Sequence, residues 1–273
     1  MFGLTFLSAT SKTTTHRVVP FLIKRTLEGV AGYAAGGEDS GGKVSGIDKV
    51  AFSADTKTTL SATLTTARST LAGFANSGVA GYAAGGHDGA RISGIDKIAF
   101  PADSKTTLSA TLTSARVSTT CFANSGTAGY VAGGNSGTNT SGIDKIAFAA
   151  DTKTTLSATL TTARAYASGF ANSGTAGYVA GGSDSGGYIS GIDKIAFAAD
   201  TKTTLSATLT TARESQAGFA NSGTAGYVAG GIGSSVFSGI DKIAFAADTK
   251  TTLSATLTTA RYAAAGFANS GTL

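Results

Sequence analysis

Phe122-Ala-Asn-Ser-Gly-Thr-Ala-Gly-Tyr130-Val-Ala-Gly-Gly134, followed by Ile143-Asp-Lys-Ile-Ala-Phe148 and Thr152-Lys-Thr-Thr-Leu156-Ser-Ala-Thr-Leu160-Thr-Thr-Ala-Arg164, is the stretch whose reading decides the fold. Its landmarks return every 48 or 49 residues. The Tyr of Gly-Tyr-x-Ala-Gly-Gly stands at Tyr33, Tyr82, Tyr130, Tyr178 and Tyr227, and the Asp of Ile-Asp-Lys at Asp48, Asp96, Asp144, Asp193 and Asp241. Thr-Ala-Arg, once Ser-Ala-Arg, ends at Arg68, Arg116, Arg164, Arg213 and Arg261, and the aromatic of Gly-Phe-Ala-Asn-Ser-Gly is Phe74, Phe122, Phe170, Phe219 and Phe267. Self-similarity at this period overrides the two-domain prior that the length would suggest, because a repeat is one supersecondary unit that cannot bury its apolar face alone.

Within the unit the apolar period is two. Phe122 and Asn124 alternate with Ala123 and Ser125, and Asp144, Ile146 and Phe148 alternate with Ile143, Lys145 and Ala147. Such alternation is the pattern of half-buried strands. The segment Leu156 to Thr162 also alternates apolar with hydroxyl side chains. A helix capped by Asp151 would put Leu156, Leu160 and Ala163 on one face. The crowd of threonines argues for strand, since β-branched side chains lose rotamer freedom in a helix. The unit therefore reads as four strands, A (Gly-Phe-Ala-Asn-Ser), B (Gly-Tyr-x-Ala-Gly-Gly), C (Ile-Asp-Lys) and D (Thr-Leu-x-x-Ala-Arg).

Composition agrees. Of 273 residues 38 are Gly, about twice the usual share, and only 14 % are charged. With 41 % hydrophobic residues and two prolines the chain is neither collagen-like nor charge-disordered. One Cys (Cys121) and two His (His16, His87) rule out a disulfide framework and the usual zinc sets, so no metal and no cofactor is expected. The longest apolar runs are too short to insert in a membrane, and the amino-terminal residues lack the basic start of a secretory signal. The net charge of +5 is one excess positive charge per unit (two Asp, two Lys, one Arg) spread over five units, not a basic stripe, so nucleic acid is not an expected partner.

Four strands per 40 to 50 residues is the signature of a β-propeller blade. The units resemble kelch repeats, in which an apolar strand ends in a Gly pair (Tyr130-Val-Ala-Gly133-Gly134), a strand with a terminal aromatic follows (Ile143 to Phe148), and an Arg closes the unit (Arg164). The likeness covers residues 29 to 273. It departs from kelch in having no Trp, with Leu156 and its equivalents nearest that place. The wording of the units also resembles kelch-type repeats in tail-associated proteins of bacteriophages, cyanophages among them, which implies a virion or extracellular setting. The expected fold is all-β, a five-bladed propeller of four-stranded antiparallel blades. The first unit has lost the residues of strand A, as comparison of Thr26 to Tyr33 with Thr70 to Tyr82 shows, while Gly266 to Gly271 has no B strand after it. The carboxy-terminal A strand is thus expected to complete the first blade and remove an open edge. Residues 1–28 remain as a degenerate segment, either an arm through which the chain docks into a larger assembly or a partial sixth blade, since Phe6 to Thr15 looks like a decayed C–D segment.

Where the copies differ is where function is expected. Differences concentrate in two windows: after the Gly pair (Glu38 to Val44, His87 to Ile92, Asn135 to Thr140, Ser183 to Ile189, Ile232 to Phe237) and after the Arg (Ser69 to Ala72, Val117 to Thr120, Ala165 to Ser168, Glu214 to Ala217, Tyr262 to Ala265). In an antiparallel meander the B–C and D–A connections lie at one end and the A–B and C–D connections at the other, so both windows are expected on one face. Loops varied on a rigid frame suit recognition. The residues expected to bind are His87, Asp88, Arg91, Asn135, Asn139, Tyr166, Asp184, Tyr188, Glu214, Gln216, Phe237 and Tyr262. Aromatics supply area and polar groups supply direction. The partner expected is a glycan or a protein. Asp, Lys and Arg repeated in every unit read as structural ion pairs, because a catalytic group is not needed five times, and Asp39-Ser-Gly-Gly and Asp184-Ser-Gly-Gly lack the spacing of a calcium loop. Neither an enzyme nor a nucleophilic role for Cys121 is expected. The competing expectation is a structural or assembly component.

Overall fold

A computed structural model describes residues 31–266, and among them every regular element is a strand. The first unit holds β1 (Ala31–Ala35), a small hairpin of β2 (Glu38–Asp39) and β3 (Gly42–Lys43), β4 (Ile47–Ala51) and β5 (Thr56–Thr59). The second holds β6 (Ala72–Asn76), β7 (Ala80–Ala84), β8 (Ile95–Ala99) and β9 (Ser104–Thr107). The third holds β10 (Thr120–Asn124), β11 (Ala128–Ala132), β12 (Ile143–Ala147) and β13 (Thr152–Thr155). The fourth holds β14 (Ser168–Asn172), β15 (Ala176–Ala180), β16 (Ile192–Ala196) and β17 (Thr201–Thr204), and the fifth β18 (Ala217–Asn221), β19 (Ala225–Ala229), β20 (Ile240–Ala244) and β21 (Thr249–Thr252). Units two to five each form a four-stranded antiparallel sheet in chain order, and the first forms the three-stranded sheet β1-β4-β5. Among the described residues the first sheet has no counterpart of β6, β10, β14 and β18. Repeated antiparallel sheets with neighbouring inner strands (β6, β10, β14, β18) make a propeller-like array. The proposed roles of residues 1–28, and the strand expected beyond Gly266, lie outside the described residues.

Strand D lies earlier than its apolar pattern implied. The paired residues are Thr152–Thr155, whereas Leu156 to Arg164 is neither strand nor helix. Main-chain bonds tie that segment down at intervals of about four residues: Leu156 N to Ile143 O at 2.9 Å, Leu160 N to Ser141 O at 2.8 Å and Arg164 N to Thr140 O at 3.1 Å. Leu156 and Leu160 are buried as the alternation predicted, yet the amide and hydroxyl of Thr161 are taken by Asp193 of the next sheet. A carboxylate from a neighbouring unit has displaced a strand partner.

Each sheet packs one face against the opposite face of the next. Phe122, Tyr130, Ile143, Leu156 and Leu160 meet Val179, Ile195 and Phe197 of the following sheet. Phe122 and Tyr130, opposite each other in the register, stack at 5.2 Å, and Phe197 stacks on Tyr130 at 5.1 Å. Full burial of Val131, Ile143 and Ile146 stabilises by about 1.5–3 kcal/mol each. In the third to fifth units the Gly before the Tyr is demanded by this packing, because a Cβ on Gly129, Gly177 or Gly226 would come within 2.0, 2.0 or 2.1 Å of the Phe74, Phe122 or Phe170 ring.

Polar groups lock the same junctions. Asp144, buried, accepts from Thr113 N at 2.9 Å, Thr113 Oγ1 at 2.6 Å, Thr155 Oγ1 at 2.9 Å and Arg116 Nη2 at 2.8 Å. Arg116, also buried, donates to Val131 O as well. The pair Arg164–Asp193 repeats this one sheet on. Nearer the surface, Tyr130 Oη and Lys145 Nζ both donate to Asp200 of the next sheet, at 3.0 and 2.7 Å. Burial alone would raise the carboxyl pKa of Asp96 and Asp241, but hydrogen bonds from Thr65 and Thr107, or Thr210 and Thr252, and the nearby guanidinium carry it below the usual value. Burial and the Asp hydrogen bond raise Tyr82, Tyr130 and Tyr178 well above the ordinary phenol range. Wherever two described sheets adjoin, the repeated Asp, Lys and Arg form structural ion pairs between them, as the sequence suggested.

Candidate functional site

The two variable windows meet. Val117 and Asn135 exchange main-chain bonds at 3.1 and 2.9 Å, so the window after Arg116 lies against the window after the next Gly pair. Ser69 with His87, Ala165 with Ser183 and Glu214 with Ile232 repeat the bridge, and in each case the second residue also bridges back within its own loop, to Arg91, Tyr188 and Val236. The Gly pair makes the turn possible. Gly133 and Gly134 have φ of 62° and 98°, and a Cβ on them would sit 2.6 Å from Arg164 O and 2.7 Å from Val117 O.

A second set of main-chain bonds joins the windows across sheets. Ser118 N donates to Thr70 O at 3.3 Å, Tyr166 N to Ser118 O at 3.1 Å, Ser215 N to Tyr166 O at 2.9 Å and Ala263 N to Ser215 O at 2.7 Å. All five residues are left-handed, with φ between 53° and 56°. This conformation costs a non-Gly residue roughly 1–2 kcal/mol, which the inter-sheet bonds offset. The ladder is built from backbone, so Thr, Ser, Tyr, Ser and Ala can all occupy it.

Of the aromatic residues singled out in the sequence, Tyr166, Tyr188 and Tyr262 are exposed, at 47 %, 44 % and 54 %, and Asp88 and Arg91 are exposed as well. Arg91, exposed, donates to Asn135 Oδ1 at 2.9 Å, Asn135 Nδ2 donates to Asn139 Oδ1 at 2.9 Å, and Asn139 Nδ2 to Ser183 O at 3.0 Å. These three side chains form one chain over three adjoining loops. Asp88 and Asp184 brace their own turns, accepting from Ala90 N at 3.1 Å and from Gly186 N and Gly187 N at 2.7 and 3.0 Å. His87 and Glu214 are half-buried beside their bridges. Phe237 is half-buried with the Arg213 guanidinium 4.8 Å from its ring centre.

Gln216 departs from the expectation of a surface contact. It is buried, and its Nε2 donates to Ala180 O at 2.7 Å, because the main chain at Ser215 turns left-handed and sends the following side chain inward. In its place the loops expose Val236, at 38 %, which its position between Ser235 and Phe237 did not single out. Among the described residues no group of three His, Cys, Asp or Glu gathers as a metal site. Burial pushes the Cys121 thiol up to about 12, so it stays protonated at neutral pH. No protein-family model matches the chain, and no curated protein does.

Proposed function

We propose that the chain is a non-catalytic recognition module that binds a glycan or a protein through the end of the array where the windows adjoin. The observation that carries this reading is the gathering of copy-to-copy differences at one end, with Tyr166, Tyr188 and Tyr262 exposed there beside the Arg91–Asn135–Asn139 chain. Tyrosine suits the task because it offers a large rigid contact area and a polar tip for little entropy. Arg91, His87, Asn135, Asn139, Asp88, Asp184, Glu214 and Phe237 would shape the surface between them. In this reading the array is a kelch-like five-bladed disc, residues 29–273, closed when the segment from Gly266 onward supplies the first blade with its inner strand. Closure would bring the windows of all units to a single rim. The likeness to kelch-type phage tail repeats suggests a receptor-binding component on a virion or another extracellular surface. No reaction and no cofactor is part of the proposal.

The second reading, an assembly component docked through residues 1–28, predicts that the tyrosine face is covered in the assembled particle. A glycan and protein array probed with the chain and with Tyr166→Ala/Tyr188→Ala/Tyr262→Ala separates the two. Loss of every hit in the variant, with its melting temperature unchanged, supports recognition by this face; hits that persist undiminished place the site elsewhere.

A further inference from the structure

The first and last sheets carry the two halves of a junction that is formed whole between every pair of neighbours along the array. At each formed junction one sheet gives a Tyr, a Lys, a Thr and an Arg, and the next receives them on two aspartates. Tyr33 Oη and Lys49 Nζ reach Asp103 at 2.7 Å each, and Tyr178 Oη and Lys194 Nζ reach Asp248 at 2.9 and 2.7 Å. Thr65 N and Arg68 Nη2 reach Asp96 at 2.9 and 3.2 Å, and Thr210 N and Arg213 Nη2 reach Asp241 at the same distances. The receiving sheet also inserts a Phe, as Phe245 does 5.1 Å from the Tyr178 ring.

The last sheet retains a full giving half, Tyr227, Lys242, Thr258 and Arg261, none of which bonds to a carboxylate among the described residues. The first sheet retains a full receiving half. Asp55 holds the left-handed turn, φ 51°, that Asp103, Asp151, Asp200 and Asp248 hold at 48° to 52°. Asp48 already accepts from Thr59 Oγ1 at 2.6 Å, as Asp96 does from Thr107 at 2.8 Å, and Phe52 is 57 % exposed. The inner strands are complementary too. A Cβ on Gly266 would lie 2.7 Å from Gly218 O, repeating the 2.8 Å of Gly218 to Gly169 O, so Gly266 lies beside β18 as Gly218 lies beside β14, while among the described residues β1 has no inner partner.

We infer that these halves meet within one chain, with Asp55 receiving Tyr227 and Lys242, Asp48 receiving Thr258 and Arg261, and Phe52 stacking on Tyr227. This deepens the closed-disc reading, on which it rests. A sixth blade built from residues 1–28 would have to take up Tyr227 and Arg261 and in turn serve Asp55, yet that segment contains neither Asp nor Tyr. Tethering favours closure within the chain over capture of a second copy, because linked halves face one another at an effective concentration of order millimolar.

The test is a cross-link in a Cys121→Ser background. Thr113 and Thr155 hydroxyls lie 2.5 Å apart across a formed junction, so Thr113→Cys/Thr155→Cys is the internal control and Thr59→Cys/Thr258→Cys the closing pair. Mild oxidation should join both pairs within the chain, with light scattering giving a monomer. A link in the control but not the closing pair, or a closing link only between chains with a concentration-dependent oligomer, overturns the inference. Should the Cys variants fail to fold, a double-mutant cycle of Asp55→Asn with Tyr227→Phe replaces them. Coupling equal to that of Asp248→Asn with Tyr178→Phe, at a melting temperature independent of concentration, supports the junction; additivity or concentration dependence refutes it. No variable-window residue is altered, so a failed link leaves the binding face untouched and a failed array screen leaves the junction untouched.

Discussion

The two ends of the sheets solve the same problem with different atoms. At the invariant end, neighbouring sheets are tied by side chains: Gly126 N, Gly174 N and Gly223 N donate to Asn76, Asn124 and Asn172 Oδ1 at 2.9, 2.9 and 2.8 Å, and Tyr82 Oη donates to Asp151 at 3.0 Å. At the variable end the tie that recurs from sheet to sheet runs from main chain to main chain, through Thr70, Ser118, Tyr166, Ser215 and Ala263, and the side-chain ties there, such as Arg91 to Asn135, differ from junction to junction. A bond made by a side chain dictates the residue, and a bond made by the backbone leaves it free. This is the physical reason that Asn-Ser-Gly-Thr and Ala-Asp-Thr-Lys recur almost unchanged while the windows after the Gly pair and the Arg diverge. The variable end can change its chemistry without loosening the junctions, which is what a recognition surface requires of its frame.

Acid should expose the contrast most broadly, because it acts on every junction at once. Asp96, Asp103 and Asp241 lie below the ordinary carboxylate value of 3.8 in the folded chain, Asp103 because bonds from Lys49 and Tyr33 outweigh its burial. Their contribution is complete above 3.8 and disappears as pH falls through the folded values. Denaturant midpoints should be level from neutral pH to about 4 and drop below it; a midpoint that held to pH 2 would deny these carboxylates their role. Next in size, Arg116→Ala leaves the buried Asp144 without its guanidinium partner, and should cost about 3–5 kcal/mol in equilibrium unfolding. Gly177→Ala drives a methyl into the Phe122 ring and should cost about 1–3 kcal/mol, read the same way. The smallest pair is the sharpest. Asn124→Ala should cost about 1 kcal/mol by removing the acceptor of Gly174 N, whereas Ser118→Ala, in the backbone ladder, should stay within about 0.5 kcal/mol. Equal costs at the two positions would erase the distinction between the ends.

Much of this is legible in the sequence. The Tyr130-Val-Ala strand, the Ile143 to Ala147 strand and the turning Gly pair follow from local alternation and from the absence of a Cβ, which need no neighbour to be read. The convergence of the windows was legible as well, since antiparallel order alone puts B–C and D–A connections at one end. Leu156 to Arg164 was not, because the amide and hydroxyl of Thr161 go to Asp193, some thirty residues on and in another sheet, while Leu156, Leu160 and Arg164 donate to single carbonyls spread over Thr140 to Ile143. Gln216 sits in a window that looks like surface, and only its left-handed predecessor turns it inward.

The sequence by itself determined the repeat, the strand-forming alternation and the residues at which one unit departs from another, because each of these is a property of order along the chain. Only the tertiary structure decided which carboxylate serves which arginine, which Phe rests on which Gly and which tyrosines remain in solvent. Those choices depend on the distance between successive sheets, a quantity set by the packing of all the units together.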